Sequence, residues 1–179
     1  MMIDGERLIL RVIKGISTLS DEIIVVTSEE SKGLASFTAR SVKVMADVYP
    51  GKGSLGGIYT GLRASSFFHS LVVACDMPFL NLALLRYLID LAPGFDIVIP
   101  RLGNLIEPLH AVYSKNCLAP AERLLRSSQL KISDLLAQVK VRYVEKEEVD
   151  RFDPEHLSFF NINTRDDLKR ARAIVAQRR

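Results

Sequence analysis

The chain has 179 residues, 48% of them hydrophobic and 25% charged, and its 24 basic side chains against 21 acidic ones leave a net charge of +3. That is the composition of one globular domain over residues 1–179, and so small a basic excess gives no electrostatic footprint for nucleic acid. No apolar run reaches the roughly 18 residues of a membrane helix, and MMIDGERLIL lacks the pattern of a signal peptide, so a cytoplasmic protein binding neither nucleic acid nor membrane is expected.

Leu8, Ile9, Val12, Ile13, Ile16 and Leu19 recur at helical spacing, predicting a first helix from about Glu6 to Leu19. A short strand follows at Ile23 to Val26, then a weak helix over Ser31 to Ala39 and a strand around Val42 to Met45 that leads into Asp47. YPGKGSLGGIYTG, Tyr49 to Gly61, holds five of the ten glycines, so a flexible loop is expected through Gly57 with helical spacing from Ile58 to Ala64. Leu71 to Cys75 is an apolar run without alternation, the pattern of a strand covered on both faces. Asp76 comes next, Met77 and Pro78 block continuation of the strand, and Asn81 is placed to cap a helix over Leu82 to Leu91.

Beyond the Pro93–Gly94 turn the expected order is a strand at Asp96 to Ile99, an extended segment at Glu107 to Tyr113, and helices over Leu118 to Arg126 and Ile132 to Gln138, the latter capped by Ser133 or an earlier residue. Strands at Val141 to Val144 and Leu157 to Asn161 precede a terminal helix, Arg165 to about Gln177, capped by Thr164. Alternating strands and helices predict an α/β fold around a mostly parallel sheet with right-handed crossovers. Cys75 and Cys117 have apolar neighbours and no paired spacing, so both are expected to be buried, reduced thiols.

Parallel strands collect ligands at their carboxyl ends, where this reading puts Asp47, Asp76 and the pair Asn161 and Asn163. A lone carboxylate with amides nearby suits magnesium, which keeps several waters and takes phosphate oxygens as its other ligands. For Asn161 and Asn163 turn formation before a helix is the competing explanation. The glycine-rich stretch Gly51 to Gly57 can bring backbone amides close to an anionic ligand, while Lys52 is as well explained by solvation. No motif sets a serine or cysteine nucleophile beside His110, and His and Cys do not cluster at zinc spacing, so hydrolase triads and zinc sites are not expected.

In this order, DGERLILRV, IIVV, Asp47 before PGKGSLGGIYTGL, ACDMPFL, EPLHAVYS and FNINTRDDL resemble the molybdenum cofactor guanylyltransferases, within the wider group of nucleotidyltransferases, and so imply their three-layer Rossmann-like fold with a mostly parallel sheet. The resemblance covers essentially the whole chain and implies transfer of GMP from GTP to molybdopterin, with magnesium as cofactor and pyrophosphate released. It implies magnesium at Asp76, guanosine near Thr27 and Asp47, the nucleotide beside Gly53, Ser54, Leu55, Gly56 and Gly57, and the pterin phosphate or the metal's waters held by Asn161 and Asn163. The alternatives are a cytidylyl or sugar-phosphate nucleotidyltransferase of the same fold and a non-catalytic nucleotide-binding relative; homo-oligomerisation stays open. Members of the family open with a strand and a loop of the type LAGGxSxRMGxDK, for which this sequence has no counterpart, so turnover by these 179 residues alone is not expected. The strand of that pattern lies between those containing Ile23 to Val26 and Leu71 to Cys75, and the sheet is expected to close over its place or to borrow a strand.

Overall fold

A computed structural model describes residues 1–3, 5–27 and 42–177. The first element is a two-residue ladder, β1 (Met2–Ile3) antiparallel to β2 (Glu6–Arg7), turned through Gly5 at φ +78°. It delays the first helix, α1 (Leu8–Ile16), which is therefore shorter at both ends than its apolar spacing predicts. The parallel pair β3 (Ile23–Thr27) and β4 (Val42–Ala46) follows as expected, whereas the helix expected at Ser31 to Ala39 lies outside the described residues.

The glycine-rich stretch folds differently from its composition: α2 runs Gly53–Ala64, so Gly53 to Gly57 form its first turns instead of a loop. Leu55, Ile58, Tyr59 and Leu62 share one apolar stripe and are all buried. Burial at about 1.5–3 kcal/mol per large apolar side chain outweighs the roughly 1 kcal/mol that each helical glycine costs.

The larger sheet contains β5 (His69–Val73), β6 (Ile97–Leu102), β7 (Leu105–Ile106), β8 (His110–Ser114) and β9 (Val141–Glu145). It is mixed. β8 lies between β5 and β6 and runs antiparallel to both, β7 continues along the same edge of β6, and β9 pairs parallel on the other edge. Periodicity carries no strand direction, so the reversal of β8 is invisible in the sequence. β5 stops at Val73, two residues earlier than expected; its residues are only half-buried and Cys75 beyond it is exposed, contrary to the expected buried thiol, while Cys117 is buried.

Alternation along the strands divides the core between two faces. Ile97, Ile99 and Tyr113 meet α2, α4 (Leu118–Arg126) and α5 (Ile132–Leu136); Val98 and Val112 meet α3 (Leu82–Asp90) and α6 (Lys146–Val149). This is the expected three-layer α/β fold. Asn81 caps α3, its Oδ1 accepting from the Leu84 amide at 3.0 Å. Ser133, by contrast, lies inside α5, whose N-cap is Lys131 without a side-chain bond.

Leu157–Phe159 is a single 3-10 turn and not a strand. The Asp153 carboxylate accepts from the amides of Leu157 and Ser158 at 3.2 and 2.8 Å, and His156 is left-handed at φ 53°, so the backbone curls where its apolar residues suggest extension. α7 (Arg165–Gln177) starts as predicted, with Thr164 and Asp167 each accepting from the other's amide. Of the two expected outcomes, closure of the sheet is not seen among the described residues: no ladder joins β3 to β5, and α2 packs against both. No described helix is long and apolar enough to cross a membrane.

Candidate active site

Asp76 occupies the turn beyond the carboxyl end of β5. Three contacts from distant parts of the chain hold this turn. Its own carbonyl accepts from the Ile162 amide at 3.0 Å, Arg11 Nε of α1 donates to the Pro78 carbonyl at 3.1 Å, and Ser158 Oγ accepts from the Asn81 amide at 2.8 Å. The Asp76 side chain is half-buried, and its carboxylate makes no hydrogen bond or ion pair among the described residues. A rigid turn thus presents a carboxylate whose oxygens are both available.

The Ile162 contact brings the Asn-Ile-Asn segment to Asp76 across 86 positions of sequence. Ile162 itself is buried with Ile3, Leu8 and Ala171, which leaves its two neighbours outward. Asn161 is half-buried and donates through Nδ2 to the Phe159 carbonyl at 3.2 Å, leaving its side-chain oxygen without a protein donor; Asn163 is exposed, and only its backbone amide is engaged, by Asp167. Turn formation therefore leaves the Asn161 side-chain oxygen and the Asn163 side chain available, since the turn uses mostly backbone groups.

Asp47 sits at the end of β4, its amide donating to the Thr27 carbonyl at 2.7 Å. Its carboxylate is partly spent: Oδ1 accepts from the Tyr49 amide at 3.0 Å and from Thr60 Oγ1 at 2.7 Å. Gly56 permits this arrangement, because a Cβ there would lie 2.9 Å from both Asp47 Oδ2 and the Tyr49 carbonyl. Of the glycine-rich residues, Leu55 faces the core and offers a ligand only its backbone, whereas a Cβ at Gly53 or Gly57 would meet open space. The first turn of α2 has no side-chain cap and no acidic residue, so its amides and positive dipole end are free of internal competition.

Two further groups at this sheet edge have weak sequence signals. Glu107, in the turn between β7 and β8, is half-buried, and burial raises its carboxyl above the ordinary carboxylate range. His110 is fully buried, its ring packed edge-on to Phe159 at 4.8 Å, with neither ring nitrogen hydrogen-bonded among the described residues. It belongs to the core. Among the described residues no three His, Cys, Asp or Glu side chains converge as a metal cage, so any cation at Asp76 must draw its remaining ligands from substrate and water.

Residues 1–143 match the family model of the MobA-like NTP transferase domain. The chain is 36% identical, over 97% of its length and 83% of the relative's, to a Pelotomaculum thermopropionicum protein named "Probable molybdenum cofactor guanylyltransferase". The structure of molybdopterin-guanine dinucleotide biosynthesis protein A from Archaeoglobus fulgidus superposes with a TM-score of 0.84 at 33% identity, covering 99% of this chain and 89% of that one. A 4-diphosphocytidyl-2C-methyl-D-erythritol synthase from Anaerococcus prevotii shares the fold, with a TM-score of 0.74 at 16% identity over 98% and 88% of the two chains.

Proposed function

Since the chain belongs to the molybdenum cofactor guanylyltransferases of the MobA-like NTP transferase family, we propose that it transfers GMP from GTP to the terminal phosphate of molybdopterin, forming molybdopterin guanine dinucleotide. An oxygen of the molybdopterin phosphate attacks the α-phosphorus of GTP, the bond to the β-phosphate oxygen breaks, and pyrophosphate leaves with its electron pair. No protein nucleophile is required, so the chain's work is positioning and charge neutralisation. The observation that carries this reading is the unpartnered Asp76 carboxylate in a turn tied to the Asn161–Asn163 segment.

Asp76 would hold a magnesium ion, which when bound neutralises phosphate charge. Its fit is chemical: one free carboxylate and no protein cage match an ion completed by phosphates and water. Thr27 and Asp47 stand beside the guanosine, with Asp47 held rigid by Thr60 and Tyr49. The amides at Gly53, Ser54 and Leu55 face nucleotide phosphate, and the side-chain amides of Asn161 and Asn163 orient the acceptor phosphate. A cytoplasmic setting fits dependence on GTP.

Thermal denaturation with a nucleotide panel tests the base preference. In the presence of magnesium, GTP is expected to raise the melting temperature more than CTP or UTP at equal concentration, because only a ligand of the native state stabilises it. A larger shift with CTP would overturn the guanylyl assignment in favour of a cytidylyl one.

A further inference from the structure

We propose that Glu107 is the residue that reads the pterin ring of the acceptor, accepting hydrogen bonds from its 2-amino-4-oxopyrimidine edge. The inference rests on the guanylyltransferase reading above and adds to it a recognition residue and its chemistry. β8 pairs antiparallel with β5, with His110 opposite Val73, so the residues entering β8 emerge where β5 ends. The Leu109 carbonyl accepts from the Ala74 amide at 3.0 Å, two residues before Asp76, and the Glu107 carbonyl accepts from the His110 amide at 3.1 Å. Backbone bonds therefore fix the Glu107 turn beside the Asp76 turn, on the β8 flank, whereas Thr27 and Asp47 belong to the separate β3–β4 pair.

The Glu107 carboxylate makes no hydrogen bond or ion pair among the described residues, although it is half-buried. Other carboxylates are committed: Glu145 to Arg101, Glu148 to Arg142 and Tyr87, Asp153 to two amides, and Asp47 through Oδ1 to Thr60 and Tyr49. Partial burial of an unpartnered carboxylate costs stability unless a ligand supplies donors. A neutral pterin does so: N3–H and one 2-amino hydrogen point the same way and match the two oxygens of one carboxylate, with no proton transferred. Such pairing favours the ionised acid and opposes the upward shift that burial causes at Glu107.

Guanine presents the same donor pair, so the test has an arm for each source. 6-Hydroxymethylpterin is titrated by fluorescence into the full chain with GTP and magnesium present, and GTP is titrated separately, for the wild type and Glu107→Gln. The substitution is expected to weaken pterin binding about ten- to hundredfold, the loss of a bidentate bond to a charged group, and to leave GTP affinity within about twofold. Pterin affinity in the wild type should fall as the medium is acidified through the Glu107 titration, and this fall should be absent from the variant. The melting temperature should not drop, because no internal partner is lost. Weakened GTP binding with unchanged pterin binding would assign the carboxylate to guanine and overturn the proposal. Unchanged affinity for both would overturn it as well. If the wild type bound no pterin and preferred CTP, the guanylyltransferase reading itself would fall, an outcome distinct from a variant that merely matches the wild type.

Discussion

Asp76→Asn is expected to weaken binding of manganese in the presence of GTP by at least about a hundredfold while leaving the melting temperature within a few degrees. Removing a partner that only orients a metal ligand already costs about ten- to hundredfold in affinity, and here the charged ligand itself is lost. Stability should hold because the carboxylate has no partner among the described residues and the turn is tied through backbone groups, the Asp76 carbonyl to Ile162 and the Pro78 carbonyl to Arg11. Asparagine keeps those bonds. Manganese paramagnetic resonance reads the free ion directly; a variant that binds as tightly as the wild type would remove the metal from Asp76.

The second large effect concerns stability. His110 is fully buried without a hydrogen-bond partner among the described residues, and burial lowers its pKa from 6.5 to about 3. The unfolded chain takes up a proton near pH 6.5 whereas the folded chain does not until about 3, so the unfolded state binds more protons between those values. Stability is full above about pH 6.5 and falls on acidification, by up to about 1.4 kcal/mol per pH unit. Carboxylates held low in the fold, such as Glu22 and Glu148 at about 2, begin to cost stability only once the unfolded acid protonates near 4.5. In the window between about 6.5 and 4.5 His110 lowers stability on acidification while Glu107, whose carboxyl burial raises, works in the opposite sense, so the imidazole is read from the difference between the wild type and a variant without it. In His110→Leu the slope there should flatten, and the melting temperature at neutral pH should match or exceed the wild type, because two unsatisfied buried nitrogens disappear. Urea denaturation at a series of pH values measures the slope and a thermal scan at neutral pH the melting temperature; an unchanged slope in the variant would refute this account of the imidazole.

The sequence was most legible where one local rule decided the outcome. Leu118–Arg126 folded within its predicted bounds because its apolar residues keep helical spacing, and Asn81 capped α3 because an amide-bearing residue precedes an apolar run. Tertiary contacts defeated the same rules elsewhere. Glycines at 53, 56 and 57 read as a loop, yet the buried stripe of α2 and the close approach of Gly56 to Asp47 make a helix there. Leu157 to Asn161 read as a strand until the Asp153 carboxylate, outside the apolar window, bent it into a turn.

The site shows the same division. Asp47 and Asp76 could be picked out as candidates because each follows a strand that forms, β4 and β5, whereas the strand expected to end at Asn161 is a 3-10 turn and the Ile162 amide is what brings the asparagines to Asp76. What each does with its polar atoms could not be read from the sequence, because the partners are remote: Thr60 lies 13 residues from Asp47 and occupies one carboxylate oxygen, while Ile162 joins Asp76 only in the folded chain. Glu107 had one local signal, a carboxylate immediately before Pro108 at the entry to a strand. Its lack of a partner is a property of the fold.

Guanylyl transfer itself is the most direct test of the central claim. Because repeated turnover is not expected of these residues alone, the chain is supplied in stoichiometric excess over molybdopterin; with magnesium and GTP present a single round should yield molybdopterin guanine dinucleotide and an equal amount of pyrophosphate, and Asp76→Asn should yield neither. Faster formation of the cytosine dinucleotide from CTP, or equal product from the Asp76 variant, would contradict it.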